Sequence, residues 1–302
     1  MGRQASRRAF LGRVGLGAAG LGVAAGAAHA IEPIVRKGPP KLKLGVCAYS
    51  YRQLLTRKED PMTLEGFLEK AAELDFDGVE LTSYYFKDTS AEFLRRIRAK
   101  ALQLGLEVAG SAVGNNFCLP AGPARDKQIE NLKKWVDHSE ILGAPIIRIF
   151  AGGKQKGQTD ADAHKVLVET IEECCAYAGE HKVFLALENH GGPTATAEGT
   201  LKILRDVKNP WFGANLDTGN FRSADPYAEI AAVAPYAITT HVKVEMSAAG
   251  QKAGPADFPR IVKILREAGY RGYLSIEYEA KEDPLTALPR HVKAIREAMK
   301  EA

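Results

Sequence analysis

Apolar and polar positions follow two alternating periods along most of the chain. From residue 42 onward, short apolar runs recur. Each is followed by a polar stretch and then by apolar residues at helical spacing. The runs predict strands over Leu42–Ala48, Gly78–Thr82, Glu107–Ala112, Ile146–Ala151, Val183–Glu188, Gly213–Asp217, Ile238–Val244 and Gly272–Tyr278. The intervening periodicity predicts helices over Leu64–Leu74, Ala91–Leu104, Asp126–Leu142, Asp162–Glu180, Thr200–Val207, Tyr227–Val233, Phe258–Ala268 and Leu285–Lys300. Gly105, Gly143, Gly269 and the pair Asn209-Pro210 punctuate helix ends.

Strict strand–helix alternation with nearly continuous apolar strands implies a parallel sheet covered by helices. Eight such units predict an α/β fold of the (β/α)8 TIM-barrel type in a single domain, because closure removes the open sheet edges. A doubly wound open sheet is the alternative, but no Gly-x-Gly-x-x-Gly follows the first strand. Residues 31–41 form a Pro-containing lead-in, and residues 42–302 the barrel.

The first thirty residues stand apart. A basic start, a Gly- and Ala-rich apolar middle and a closing Ala28-His29-Ala30 describe a signal peptide. Its Ser6-Arg7-Arg8-Ala9-Phe10-Leu11 core resembles a twin-arginine signal. The resemblance implies recognition by the twin-arginine export machinery, delivery of folded cargo and a periplasmic or other extracytoplasmic location. Retention as a membrane anchor is the alternative, although the run is short and glycine-rich for a span of ~20 apolar residues.

This segment changes the charge argument. The whole chain carries 41 basic and 37 acidic residues. Without Arg3, Arg7, Arg8 and Arg13 the remainder is neutral, so composition gives no reason to expect a nucleic-acid partner. Of the four cysteines, Cys174 and Cys175 are adjacent within a helical pattern. Cys47 and Cys118 complete no disulfide framework and no Cys-x-x-Cys motif.

The chemistry gathers at the ends of the last four strands. Strand five ends in Glu188-Asn189-His190 and strand six in Asp217-Thr218-Gly219-Asn220. Strand seven carries His241-Val242-Lys243, and strand eight ends in Glu277-Tyr278-Glu279. In a barrel those ends share one face. Glu188, Asp217, His241 and Glu277 would converge there, and three close carboxylates repel one another unless a cation neutralises them. One divalent ion is therefore expected. The mostly oxygen donor set suits Mn²⁺ or Mg²⁺, with Co²⁺ and Zn²⁺ as further candidates. The plain alternative makes each acid an ordinary strand-end carboxylate paired with Lys or Arg.

The strings Leu-Glu188-Asn-His, Leu-Asp217-Thr-Gly-Asn, His241-Val-Lys and Ile-Glu277-Tyr resemble the xylose-isomerase-like sugar isomerase/epimerase superfamily, and within it the ketose 3-epimerases. The resemblance spans essentially all of residues 31–302. It implies that Glu188 and Glu277 also transfer protons, and that the substrate is a small sugar bound through an enediolate-forming carbonyl. A metal stabilises such charge as a Lewis acid, and two carboxylates on opposite faces permit epimerisation.

Further candidates surround that set. Arg148 interrupts an apolar strand, where it either binds substrate hydroxyls or braces Glu188. Glu80 on strand two is either a substrate contact or an ion-pair partner of Arg148. His190, on a Gly-Gly loop, suits either a sugar hydroxyl or a loop hydrogen bond. Lys243 lies two positions after His241, hence on the same side of the strand, where it contacts an oxyanion or neutralises the acids. Tyr49, Tyr51, Phe117, Trp135 and Phe150 are candidates for a sugar-stacking wall. Two departures concern the substrate end. Asn220 stands where the family epimerases commonly have a histidine, and Ser247 stands about where they have a substrate-binding arginine.

The leading expectation is thus a sugar isomerase or epimerase acting on a free sugar or keto-sugar. A homo-oligomer is compatible with it. The same first step on a 3-keto glycoside would instead expel the group at carbon one, making the chain a lyase. A sugar-binding barrel without turnover is a third reading. A DNA-repair hydrolase like endonuclease IV would need several more histidines. His138, His164, His181 and His291 all fall on helices or helix–strand connections.

Overall fold

The computed structural model describes residues 31–301. The expected signal segment lies outside the described residues. The eight strands are β1 (Lys41–Cys47), β2 (Gly78–Thr82), β3 (Glu107–Ala112), β4 (Ile146–Ile149), β5 (Phe184–Glu188), β6 (Phe212–Asp217), β7 (Ala237–Val242) and β8 (Arg271–Ile276). They pair in parallel around a closed barrel, with β8 completing the circle against β1. The helices following each strand are α1 (Leu64–Glu73), α2 (Ala91–Gln103), α3 (Pro123–Leu142), α4 (Asp160–Glu180), α5 (Ala197–Asp206), α6 (Pro226–Val233), α7 (Phe258–Glu267) and α8 (Pro284–Glu301).

Local chemistry explains where these helices start. Thr63, Ser90, Thr159 and Thr196 each accept a hydrogen bond from a backbone N–H in the first turn of the helix that follows. Asp225 and Asp257 do the same for α6 and α7. Such caps satisfy donors that the helix itself leaves unpaired, each contributing about 0.5–2 kcal/mol. Gly143 ends α3 in the left-handed region, at φ 73°.

Every residue of β2 and β6 is buried, as expected for strands covered on both faces. Apolar residues such as Leu44, Val79, Ile147, Leu185, Leu216 and Leu274 fill the space between sheet and helices. Each such side chain taken out of water contributes about 1.5–3 kcal/mol. The lead-in crosses the N-terminal end of the barrel, where the Ile34 N–H donates to the Pro235 carbonyl at 2.9 Å. Among the described residues no helix is long and apolar enough to cross a membrane.

Strand ends differ from the sequence reading for a specific reason: side-chain oxygens replace the ladder. β4 stops at Ile149 because Asn115 takes over the next residue, accepting from the Phe150 N–H at 2.9 Å and donating to its carbonyl at 2.7 Å. The Lys243 N–H donates to Thr218 Oγ1 at 3.0 Å, and the Tyr278 N–H to Ser50 Oγ at 2.9 Å. The β7–α7 connection also holds a small antiparallel pair, Glu245–Met246 with Gly254–Pro255. Two-residue strands carry no readable period. All four cysteines are buried and free.

Candidate active site

β5, β6, β7 and β8 are successive neighbours, and their C-terminal ends bring four side chains together. Asp217 lies beside His241 in the ladder, and Glu188 lies beside Asn215. One ligand atom each from Glu188, Asp217, His241 and Glu277 falls within 4.8 Å of the others, and all four residues are buried. His241 Nδ1 stands 3.3 Å from Glu188 Oε2 and 3.5 Å from Glu277 Oε2.

Cations and amides organise the acids. Arg148 Nε lies 3.1 Å from Glu188 Oε2, while its Nη1 donates to the Val113 carbonyl at 2.8 Å. Asn215 and Asn220 each donate through Nδ2 to Glu188, both at 3.2 Å. The Lys243 ammonium contacts Glu277, stands 2.6 Å from Glu279 Oε2 and lies 3.3 Å from Asp217 Oδ2. Gly219 makes room for it: a Cβ there would meet Lys243 Cγ at 2.4 Å. Asn189 fixes the Asp217 backbone, accepting from its N–H at 2.8 Å and donating to its carbonyl at 2.9 Å.

These surroundings separate the carboxyls electrostatically. Burial alone would raise Glu188, but Arg148 and His241 hold it below the usual range. Burial likewise opposes ionisation of Glu277, and His241 and Lys243 outweigh it, holding the group well below its ordinary value. Asp217 goes the other way. Burial pushes it up to about 7 against the pull of Lys243, with Glu188 and Glu277 adding repulsion.

The donor set fits a divalent cation. Asp217 Oδ2 and His241 Nδ1 are buried and make no hydrogen bond among the described residues, with the charged Lys243 and Glu188 groups respectively standing 3.3 Å away. Orphaned polar atoms in an interior are costly, and here they share a cluster with two further carboxylates. Three carboxylates and one imidazole make an oxygen-rich donor set of the kind that holds a divalent ion.

The sequence matches the family described as the xylose isomerase-like TIM barrel over residues 68–300. The chain belongs to that family. It is 23% identical over 253 residues to a human protein named "Putative hydroxypyruvate isomerase", a match covering 74% of this chain and 87% of the human one. Its fold resembles D-psicose 3-epimerase from Clostridium cellulolyticum H10, with TM-score 0.69 and 17% identity over 85% of this chain and 98% of the other. It also resembles 3-keto-D-glucoside 4-epimerase from E. coli, with TM-score 0.69 and 14% identity over 85% of this chain and all of the other.

Within this xylose isomerase-like barrel, the remaining candidate residues separate. Arg148 and Lys243 stand on the acids, and Asn220 donates to Glu188. Glu80 makes no ion pair with Arg148: its Oε2 lies 2.9 Å from His241 Nε2 instead, in the buried interior. His190 is exposed and outside the cluster, its ring centroid 4.4 Å from that of Phe150. Its backbone N–H donates to Thr194 Oγ1 at 2.9 Å. Of the aromatic candidates, Tyr51, Phe117 and Trp135 are core residues, leaving Tyr49 and Phe150 half-buried. The histidines on helices lie apart from the cluster; His164 pairs with Asp206 and His181 with Glu140.

Two features escaped the sequence reading. Arg222 donates through Nη1 to Ser247 Oγ at 2.7 Å. Together with Asn220, Lys243, Glu277 and Glu279 they line a cavity of ≈ 130 Å³. Tyr84, 48% exposed, leans over Gly114. Neither lies in a run with a recognisable period, and only the meeting of separate loops places them.

Proposed function

We propose that this chain is a divalent-metal-dependent sugar isomerase or epimerase that moves a proton on a carbon beside a carbonyl. The convergence of Glu188, Asp217, His241 and Glu277 in a buried cluster carries the reading. Family membership and the epimerases and isomerase among its relatives support it. The ion held by these four residues would supply Lewis-acid polarisation of the substrate carbonyl and an adjacent oxygen.

The chain's own residues divide the remaining work. Glu188 and Glu277 are the proton carriers. Arg148 keeps the first ionised and His241 with Lys243 the second, so each starts as an acceptor. One removes the proton from carbon and the other returns a proton to the opposite face. Asn220 and Arg222, in the adjoining cavity, hold sugar hydroxyls. Lys243 offsets charge developing on oxygen. His190 contributes at the rim, beside Phe150. In the cell, the proposal includes export through the twin-arginine route.

The test is incubation with Mn²⁺ and a panel of ketoses and 3-keto glycosides in D2O, with deuterium on carbon read by NMR. Exchange that disappears in Glu277→Gln and with chelator supports the reading. Tight ion and sugar binding without exchange overturns it in favour of a binding barrel. A keto-glycoside lyase is the second reading, because the same proton removal on a 3-keto glycoside, a substrate type named for one structurally similar protein, would expel the group at carbon one. Release of the aglycone would select it.

A further inference from the structure

His241 is gripped from both sides of its ring. Nδ1 faces Glu188 and Glu277, while Nε2 meets Glu80 Oε2 at 2.9 Å, and the ring is wholly buried. Glu80 comes from β2, which is no neighbour of β7: β1 and β8 lie between them in the barrel order. The contact therefore spans the barrel interior. A polar side chain buried there is costly without a partner, and among the described residues His241 is the one hydrogen-bond partner of Glu80, whose Oε1 has none.

With Glu80 Oε2 as the acceptor of this contact, the hydrogen sits on Nε2. That turns the Nδ1 lone pair toward the acids whenever the ring is neutral. We propose that Glu80 is a positioning residue that fixes the orientation and tautomer of His241, so that Nδ1 is the nitrogen offered to the cation. The inference rests on the metal reading above and assigns Glu80 neither to substrate nor to Arg148. Cys47 lies close by, and its ligand atom falls within 4.8 Å of those of Glu80 and His241. In this assignment the trio is a brace, and the chain takes one ion.

The experiment compares wild type, Glu80→Gln and Glu80→Met by Mn²⁺ titration calorimetry, alongside ¹⁵N NMR of the His241 ring with and without Mg²⁺. Gln keeps an acceptor for Nε2–H and Met does not. Affinity should fall by about 10–100-fold in Glu80→Met and less in Glu80→Gln. A hydrogen-bonded Nε2–H signal should be present in wild type and lost in Glu80→Met. Unchanged Mn²⁺ affinity in a folded Glu80→Met overturns the inference, as does a wild-type ring lacking hydrogen on Nε2. Two ions per chain, one of them lost in Cys47→Ser, also overturn it. If Glu80→Met fails to fold, the Gln variant and the wild-type ring signal decide. If wild type binds no ion, the metal reading fails, while the Nε2–H signal still reports whether Glu80 holds the ring.

Discussion

Arg148 and Glu188 form an ion pair across β4 and β5, with Nε 3.1 Å from Oε2 and the side chains only 3% and 2% exposed. An ion pair this deep is poor evidence of net stabilisation, because both charges gave up water. Breaking it from one side is a different matter.

Arg148→Met should leave Glu188 buried without its cation. The expected loss is about 3–5 kcal/mol in urea unfolding. Deuterium exchange into substrate should fall with it, since a carboxyl driven up by burial begins protonated. A loss under about 0.5 kcal/mol would mean that water reaches Glu188.

Removing divalent ions should destabilise the chain and abolish exchange into substrate together. With Mn²⁺ at one hundred times its dissociation constant, stability should rise by about 2.7 kcal/mol over the chelated protein. Thermal unfolding with and without chelator checks this. An unchanged midpoint would mean that the acid cluster does not hold the ion.

The metal-free protein should show a pH dependence set by Asp217. Its carboxyl rises from 3.8 to about 7 because it is buried, with Glu188 and Glu277 nearby. Between those values the folded chain keeps a proton that the unfolded chain releases. Stability from this group therefore falls as pH rises through that window, and its full cost is present above about 7. Asp217→Asn should remove this slope. Urea unfolding of chelated wild type and variant across the window measures it, and parallel curves would refute the assignment.

Trp135 donates through Nε1 to Ser111 Oγ at 2.7 Å and packs edge-on against Phe86. Trp135→Phe should cost about 1 kcal/mol for the lost hydrogen bond, plus packing, and leave Mn²⁺ affinity unchanged. A large rise in KM with stability intact would instead place the indole at the substrate.

Much of this was legible along the chain. The strand–helix period predicts each of the eight units, and β2 and β3 match their expected bounds. The strand-end acids were readable because a parallel barrel sends all such ends to one face. Glu80 was not. Its sequence neighbours, Gly78-Val79 and Leu81, mark only a strand, and its partner lies 161 residues away on a strand it does not pair with.

What the sequence determined by itself is therefore local and periodic. It set the alternation of strand and helix, the capping residues that start the helices, and which carboxylates stand at strand ends. Tertiary structure alone decided which nitrogen of His241 faces the acids, that Lys243 spans Asp217, Glu277 and Glu279, and that Arg222 reaches Ser247. Periodicity follows from backbone geometry repeated every few residues. The side-chain pairings depend on how the closed barrel and its loops bring distant segments within a few ångströms, and no local pattern encodes that distance.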